Sequence, residues 1–388
     1  MKRKVIFLQD FKFTKRDYQR FGFEYLESKN LDVYVLDFCY LFNKSYFENH
    51  HPHDYFNDFK NYFSIKNEKD FHEFSNKFNS QDIVISIFGF NEKNEFIFKR
   101  INECNAKLGF CIFGEHPSPW NRDRESIAYK LLNLLRFIAK DLLKIKKHLK
   151  RGFSVDFVIT TGIETIRKTK IEFAGMNYRM IEAHSFDYDN FLEGNQLDGY
   201  DKNNFAVFLD EDKPFHPDSF ILEKEEEINP KKFYYELNRF FKIFEDVTGL
   251  EVIIAPHPRA DYQKRGNPFS GRKIEEGQTH FLVKNSKHVL SSNSTSLGYA
   301  ALYRKPVTLV DSNLYGEFSS KHAIAYQEDL GCELVNISDD KSLKKQNYSQ
   351  DVNEKKYSSY VERYIKNKKS RNVFSWKIIL EEILESFN

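Results

Sequence analysis

Two short segments in the C-terminal half contain residue types that bind and neutralise phosphate. The first reads APHPR over residues 255–259, and the second reads SSNSTSLG over residues 291–298. His257 can donate a hydrogen bond to an anion, and Arg259 adds positive charge. Hydroxyl groups beside the unpaired N–H groups at a helix start also attract phosphate. The two segments together predict a phosphate-binding site.

Each segment follows a short apolar run that is typical of a buried parallel strand, residues 250–255 and 288–290. Open α/β sheets bind ligands at the carboxyl ends of their strands, so both segments are expected at one sheet edge. We therefore predict His257 as a catalytic residue. The residues predicted to bind the phosphate of a nucleotide are Pro258, Arg259, Ser292, Asn293, Ser294, Thr295 and Ser296. The alternative is that the hydroxyl run only caps a helix and His257 is an ordinary loop residue.

A third segment, FAVFLDED over residues 205–212, places carboxylates at the end of another apolar run. A partly desolvated carboxylate has a raised pKa, which suits a general base. Asp210 is the candidate base, with Glu211 and Asp212 as alternatives, unless all three form a solvated turn. Glu211, and His216 in the following His-Pro pair, are candidate acceptor-binding residues.

The whole chain of 388 residues is too long for one ordinary core and alternates strand-like runs with helical segments. This pattern predicts an α/β fold with two doubly wound parallel sheets. The expected divisions are an N-terminal domain over 1–190, a hinge over 191–204, a C-terminal domain over 205–365 and a returning helix over 366–388. Asn229-Pro230 begins a predicted helix that Gly249 ends.

Composition excludes several classes of protein. The net charge of +2 with 30% charged residues gives no field that would select nucleic acid as a partner. Four cysteines without metal-ligand spacing fit a reducing cytoplasm. No apolar run approaches the roughly 18 residues of a membrane span. We expect no metal, although Asp210 and Asp212 do form an Asp-x-Asp pair.

The acidic run, the His257-Pro258 pair and the Ser294-Thr295 pair resemble, in this order, the acidic, HP and S-S/T motifs of bacterial sialyltransferases. The resemblance covers roughly residues 184–312, and the chain lacks the glycine that follows the acidic residues in that family. It implies a GT-B fold, in which two Rossmann-like domains face a cleft and a C-terminal helix crosses back.

The resemblance also implies an enzyme of capsule, lipopolysaccharide or surface-glycan assembly. Such a glycosyltransferase would use a CMP-sugar carrying sialic, legionaminic or pseudaminic acid, or Kdo, without a metal or other cofactor. The acceptor would be a glycan or a lipid-linked glycan. The alternatives are a transferase using a UDP- or GDP-sugar, a polymer phosphotransferase of the teichoic-acid kind, and a non-catalytic nucleotide-sugar-binding module.

The N-terminal half is expected to hold the acceptor. Glu115 and His116 follow a predicted strand over 107–113, and the two prolines after them would stiffen the loop, so both are candidate acceptor-binding residues. Residues 126–150 predict a basic amphipathic helix that could dock on anionic lipid, although an ordinary core-facing helix fits as well. The cysteine pattern and the lack of a membrane span predict a cytoplasmic protein, and this helix adds peripheral membrane association as an option.

Overall fold

The computed structural model describes residues 2–49, 52, 54–119, 152–194, 204–215, 228–258, 260–346, 348 and 351–385. The chain divides into two compact units. Unit 1 comprises Met1–Gly114, Leu131–Phe186 and Lys366–Asn388, and unit 2 comprises Glu115–Lys130 and Asp187–Ile365. The chain enters unit 2 after Phe186, upstream of the predicted hinge over 191–204, of which residues 195–203 lie outside the described ranges.

Unit 1 contains seven strands and most of the short helices of the N-terminal half. The strands are β1 (Lys4–Gln9), β2 (Asp32–Asp37), β3 (Tyr62–Ser64), β4 (Ile83–Ser86), β5 (Lys107–Cys111), β6 (Phe157–Thr160) and β7 (Arg179–Glu182). The helices are α1 (Lys15–Arg20), α2 (Phe23–Ser28), α3 (Cys39–Phe42), α4 (Lys44–Asn49), α5 (Glu68–Ser75), α6 (Glu95–Glu103) and α7 (Ile163–Glu172).

The seven strands of unit 1 form one parallel sheet in the order β3-β2-β1-β4-β5-β6-β7. Both faces of this sheet are covered, because Val5 and Phe7 of β1 belong to one apolar cluster and Ile6 and Leu8 to another. A parallel strand buried on both faces needs a continuous apolar run, and the buried residues of β1 and β4 form such runs.

Unit 2 contains the remaining strands and helices, apart from the last helix. The strands are β8 (Phe205–Leu209), β9 (Glu251–Ala255), β10 (His288–Ser291), β11 (Val307–Asp311) and β12 (Glu333–Asn336). The helices are α8 (Phe186–Glu193), α9 (Pro230–Thr248), α10 (Tyr262–Arg265), α11 (Thr279–Asn285), α12 (Leu297–Leu302), α13 (Glu317–Leu330), α14 (Asp340–Lys345) and α15 (Glu354–Tyr360). A 3-10 turn covers Lys213–Phe215 and a π-helical turn covers Val361–Ile365.

The sheet of unit 2 is also parallel and has the order β12-β11-β10-β8-β9. The chain therefore runs from β8 to β9 on one side, returns past β8 to β10, and continues outward. The strand order thus reverses between β8 and β10. The prediction of two doubly wound parallel sheets is confirmed, and the fold is of the GT-B class.

In helix α9, the local sequence determines both ends of the helix and its buried face. Asn229 caps it by accepting a hydrogen bond from the Lys232 N–H at 3.1 Å, and Gly249 ends it with a φ of 70°, in the left-handed region that favours glycine. Four apolar residues that repeat along one face of the helix are buried to 2% exposure or less: Phe233, Leu237, Phe240 and Phe244. The packing of α9 therefore follows the amphipathic pattern.

The last helix, α16 (Ser375–Glu385), packs within unit 1. The fully buried Trp376 lies 5.3 Å from the Phe7 ring and donates its indole N–H to the Arg20 carbonyl at 3.0 Å. Gly22, with a φ of 61°, leaves room for this indole, since a Cβ at that position would collide with the Trp376 ring. The C-terminal segment is thus part of the unit 1 core.

Two edge strands, β3 and β12, were missed by the sequence analysis. β3 has only three residues and its middle residue, Phe63, is exposed, so it lacks the longer run of buried residues that marks the interior strands of the sheet. In the described ranges, no helix combines the length and the apolar character needed to cross a bilayer.

Candidate functional site

The three predicted segments leave the sheet of unit 2 at the same level. Leu209 of β8 pairs with Ala255 of β9 and with Ser291 of β10, so the residues after these three positions continue side by side. Adjacent strands are about 4.8 Å apart. The Asp210 N–H extends the ladder by donating to the Ala255 carbonyl at 3.0 Å. The structure therefore brings the acidic, His-Pro and hydroxyl segments to one sheet edge, with the acidic segment in the middle.

Asp210 is buried directly after the central strand, with 4% of its surface exposed. One carboxylate oxygen accepts the Tyr262 hydroxyl at 2.6 Å, and the other accepts the Asp212 N–H at 3.0 Å. The pKa of Asp210 is raised to about 7, mainly by burial; the two hydrogen bonds oppose this rise, and the nearby Asp212 and Glu211 carboxylates add to it. This pKa suits a group that must take and release a proton near neutral pH.

Asp212 differs from Asp210 because it forms an ion pair with a guanidinium. Its side chain is 4% exposed and binds Arg265 through both oxygens, at 2.9 and 2.5 Å. Asp212 has a φ of 51°, a left-handed conformation that turns the chain. The Arg265 guanidinium also lies 4.2 Å from the Phe215 ring and 4.9 Å from the Tyr262 ring. A carboxylate held in this way is a poor proton acceptor.

Glu211 joins the acidic segment to the hydroxyl segment. One of its oxygens accepts the Asn293 main-chain N–H at 2.6 Å, and the other lies 3.0 Å from the Lys213 ammonium. Lys213 also donates to the Asn293 side-chain oxygen at 3.0 Å and to the Ser319 hydroxyl at 2.8 Å. Of the three carboxylates, Asp210 is the one that forms no ion pair with any residue in the described part of the chain.

The hydroxyl segment differs from the expectation of unpaired N–H groups at a helix start. The N–H groups of Leu297, Gly298 and Tyr299 donate to the carbonyls of the residues three positions earlier, at 3.0 to 3.1 Å. The Ser296 N–H donates to the Ser294 hydroxyl at 3.2 Å. The tight turn that begins α12 therefore already uses these donors.

The predicted nucleotide-binding side chains in this segment lie at the same edge with graded exposure. Ser292 is buried and its hydroxyl lies 3.3 Å from the Tyr315 hydroxyl, whereas Asn293, Ser294 and Ser296 are half-buried and Thr295 is exposed. The polar groups that this segment leaves partly or fully exposed are thus side chains and not the N–H groups of the helix start.

His257 and Pro258 lie in the turn after β9, where His257 is half-buried and Pro258 is exposed. The His257 carbonyl accepts the Ala260 N–H at 2.8 Å, which closes the turn before α10. Tyr262 of α10 then reaches back to Asp210. The His-Pro turn therefore positions the tyrosine that contacts the central carboxylate. Arg259 lies outside the described residues.

Glu115 and His116 group with unit 2 rather than with the N-terminal unit in which they were predicted to bind the acceptor. The His116 ring is 5.8 Å from the His322 ring and 6.3 Å from the Tyr326 ring, both on α13. His216 and the predicted basic helix over 126–150 lie outside the described residues, so their predicted roles stay predictions.

Sequence reasoning missed three residues that contact the carboxylates. Lys213 follows the acidic run directly, but its charge alone gave no sign that it would contact Asn293 and Ser319. Tyr262 and Arg265 occupy one short helix four and seven positions after Pro258, and only the fold returns them to the acidic segment. Within the described ranges, no group of three or more His, Cys, Asp or Glu side chains is arranged to hold a metal ion.

Comparison with known proteins supports the fold class. No protein-family model matches the chain, and no curated protein matches it. In structure it is similar to a Listeria monocytogenes protein assigned as a UDP-N-acetylglucosamine 2-epimerase, with a TM-score of 0.52 and 13% identity over 100% of this chain and 97% of that one. Also similar are the S. aureus MnaA structure with UDP (TM-score 0.49, 12% identity, 99% and 97% covered) and the wall teichoic acid polymerase TagF (0.47, 12%, 100% and 90%).

Proposed function

We propose that this protein is a glycosyltransferase that takes its sugar from a nucleotide-sugar donor bound at the β8–β9–β10 edge of unit 2. The observation that carries the proposal is the arrangement of the acidic, His-Pro and hydroxyl segments at one level of one parallel sheet. Such an edge is where open α/β sheets bind nucleotides. The GT-B class of the fold supports the same reaction.

In the proposed reaction Asp210 is the general base that removes the proton from the acceptor hydroxyl. Its support is the pKa of about 7 and the ion pairs that occupy the two neighbouring carboxylates. His257 donates a hydrogen bond or proton to the departing phosphate oxygen. The sugar-to-phosphate bond breaks as the bond from the acceptor oxygen forms, and the nucleotide leaves with the bonding electron pair.

The donor we favour is a CMP-sugar, with a nonulosonate or Kdo as the sugar. The support is the order of the three motifs, which resembles that of sialyltransferases, and the acceptor would then be a surface glycan. A UDP-sugar is the second candidate, because the chain shares its fold with a protein assigned as a UDP-N-acetylglucosamine 2-epimerase.

Thermal unfolding with CMP, UDP or GDP tests the proposal and ranks the donors. A nucleotide at a hundred times its dissociation constant stabilises the folded state by about 2.7 kcal/mol. We expect CMP to raise the unfolding temperature and His257→Ala to reduce that shift. Stabilisation by UDP and not by CMP would transfer the proposal to a UDP-sugar, and no shift with any nucleotide would remove it.

A further inference from the structure

The point where the strand order of unit 2 reverses is occupied by a carboxylate of the chain itself. The reversal lies between β8 and β10, and loops at such a point diverge and leave a crevice for ligands. Glu211 follows β8 and Asn293 follows β10, and the hydrogen bond between them at 2.6 Å spans this point. The crevice expected to take a ligand is thus bridged by a negative side chain.

The groups that hold this carboxylate are those that hold a phosphate elsewhere. A main-chain N–H at 2.6 Å and an ammonium at 3.0 Å are charge-assisted donors, and phosphate oxygens accept from the same donors. The Lys213 and Glu211 side chains are only 12% and 16% exposed, so water screens their charges weakly. The pair of donors therefore forms a site for one anionic group.

The rest of the packing fixes Lys213 in place without using up its charge. Its ammonium contacts the Ser319 hydroxyl and the Asn293 side-chain oxygen, both neutral, and lies 4.7 Å from the centre of the Tyr315 ring. Glu211 is the only anion that pairs with Lys213 among the described residues. If Glu211 moved away, Lys213 would keep its position and would need another anion.

We propose that the Lys213 ammonium and the Asn293 N–H form an anion subsite for the donor's phosphate, which Glu211 fills until the phosphate displaces it. The proposal rests on the proposed function for the identity of the ligand, but the anion subsite itself does not. A phosphate and a carboxylate cannot share two donors, because their negative charges would repel at this distance. The donor's phosphate must therefore displace Glu211 in order to bind, and this competition lowers the affinity for the donor.

Binding of inorganic phosphate and of CMP to four variants tests the subsite. Glu211→Gln keeps an oxygen that can accept the Asn293 N–H but removes the competing charge. We expect it to bind both probes about tenfold more tightly than the wild type, since removing a like charge favours an anion by at least this factor. Adding Lys213→Met should abolish the gain. Titration calorimetry measures each dissociation constant.

Glu317→Gln is the matched control, because it also removes one negative charge near this edge. Glu317 begins α13, two residues before Ser319, but pairs with Lys321 and is 80% exposed. The control should bind both probes as the wild type does. Glu211→Asp should give an intermediate affinity, since the shorter side chain retains the charge but withdraws it from Asn293.

The outcomes separate this inference from the proposed function. No gain in phosphate affinity for Glu211→Gln over Glu317→Gln, or a gain that survives Lys213→Met, would overturn the subsite. A gain for inorganic phosphate without any preference for CMP over phosphate would keep the subsite and count against a nucleotide-sugar donor.

Discussion

Each unit contains a buried aspartate with the same two kinds of hydrogen-bond donor, but the charges around the two aspartates differ. In unit 1, Asp37 at the end of β2 accepts the Tyr62 hydroxyl at 2.8 Å and the Cys39 N–H at 2.8 Å. In unit 2, Asp210 after β8 accepts a tyrosine hydroxyl and the N–H of the residue two positions later. Burial raises the pKa of Asp37 to about 6 and that of Asp210 to about 7.

The difference lies in the charges around the two groups. The Lys12 ammonium lowers the pKa of Asp37, whereas Asp212 and Glu211 raise the pKa of Asp210. Asp210 also follows a strand that has the His-Pro and hydroxyl segments on its two sides. Both units thus contain a buried, hydrogen-bonded aspartate at the carboxyl end of a strand. The charges and segments around Asp210 make it, and not Asp37, the candidate base.

The largest expected effect is a difference in transferase activity between variants of Asp210 and of Asp37. Asp210→Asn should lower transfer from the nucleotide-sugar donor by at least about a hundredfold, because a general base contributes a factor of roughly 10² to 10⁴. Asp37→Asn should leave turnover near the wild-type rate. Release of nucleotide from the donor measures both. Equal losses in the two variants would mean that the aspartates act only through stability.

The second effect concerns stability against pH. Each aspartate has a pKa in the folded state above its unfolded value of about 3.9. Its contribution to the free energy of unfolding is therefore complete below about pH 3.9 and is lost as the pH rises through the folded pKa. The stabilising contribution of Asp37 is lost as the pH rises through about 6, and that of Asp210 as it rises through about 7. Between pH 6 and 7, Asp210→Asn should flatten the fall in unfolding free energy more than Asp37→Asn does.

Urea unfolding at closely spaced pH values between 4 and 8 checks this expectation. Parallel curves for the wild type and Asp210→Asn between pH 6 and 7 would show that Asp210 does not titrate there.

The third effect tests the ion pair that occupies Asp212. Arg265→Leu leaves a carboxylate that is 4% exposed without its guanidinium, and we expect a loss of about 3 kcal/mol in unfolding free energy. Lys107→Met in unit 1 is the control. Lys107 and Asp156 are 37% and 31% exposed, so breaking their pair should cost less than about 1 kcal/mol. Similar losses in the two variants would contradict the contrast.

The smallest effect concerns the tyrosine beside each aspartate. Tyr262→Phe removes a hydrogen bond that favours the charged carboxylate, so the pKa of Asp210 should rise and the acidic limb of the pH–rate profile should move to higher pH. Turnover at pH 7 should fall about tenfold for each unit of that movement. Tyr62→Phe should leave the profile unchanged. An unmoved limb in Tyr262→Phe would remove Asp210 as its source.

The interior strands could be predicted from the sequence because burial on both faces demands unbroken apolar runs, as in residues 205–209. The strand over 62–64 could not, because it has only three residues, none of them fully buried. Helix α9 was predictable at both ends, because Asn229 and Gly249 carry local signals that do not depend on the rest of the fold.

The candidate site was predictable only in its strand-end segments. A strand followed by polar residues indicates a sheet edge, so Asp210, His257 and the residues from Ser292 to Ser296 could be placed together. The pairing of Asp212 with Arg265 depends on where α10 returns to the sheet, and no local pattern encodes that return. The same holds for Lys213 and Ser319, which are 106 positions apart.

A crystal structure with bound CMP tests the central claim most directly, because the claim is about where the phosphate of the donor lies. We predict the phosphate between β8 and β10, with an oxygen within hydrogen-bonding distance of the Asn293 N–H and of the Ser294 or Thr295 hydroxyl, and with the His257 ring facing it. A phosphate bound elsewhere, or a His257 ring well over 10 Å from those hydroxyls, far beyond hydrogen-bonding reach, would contradict the account.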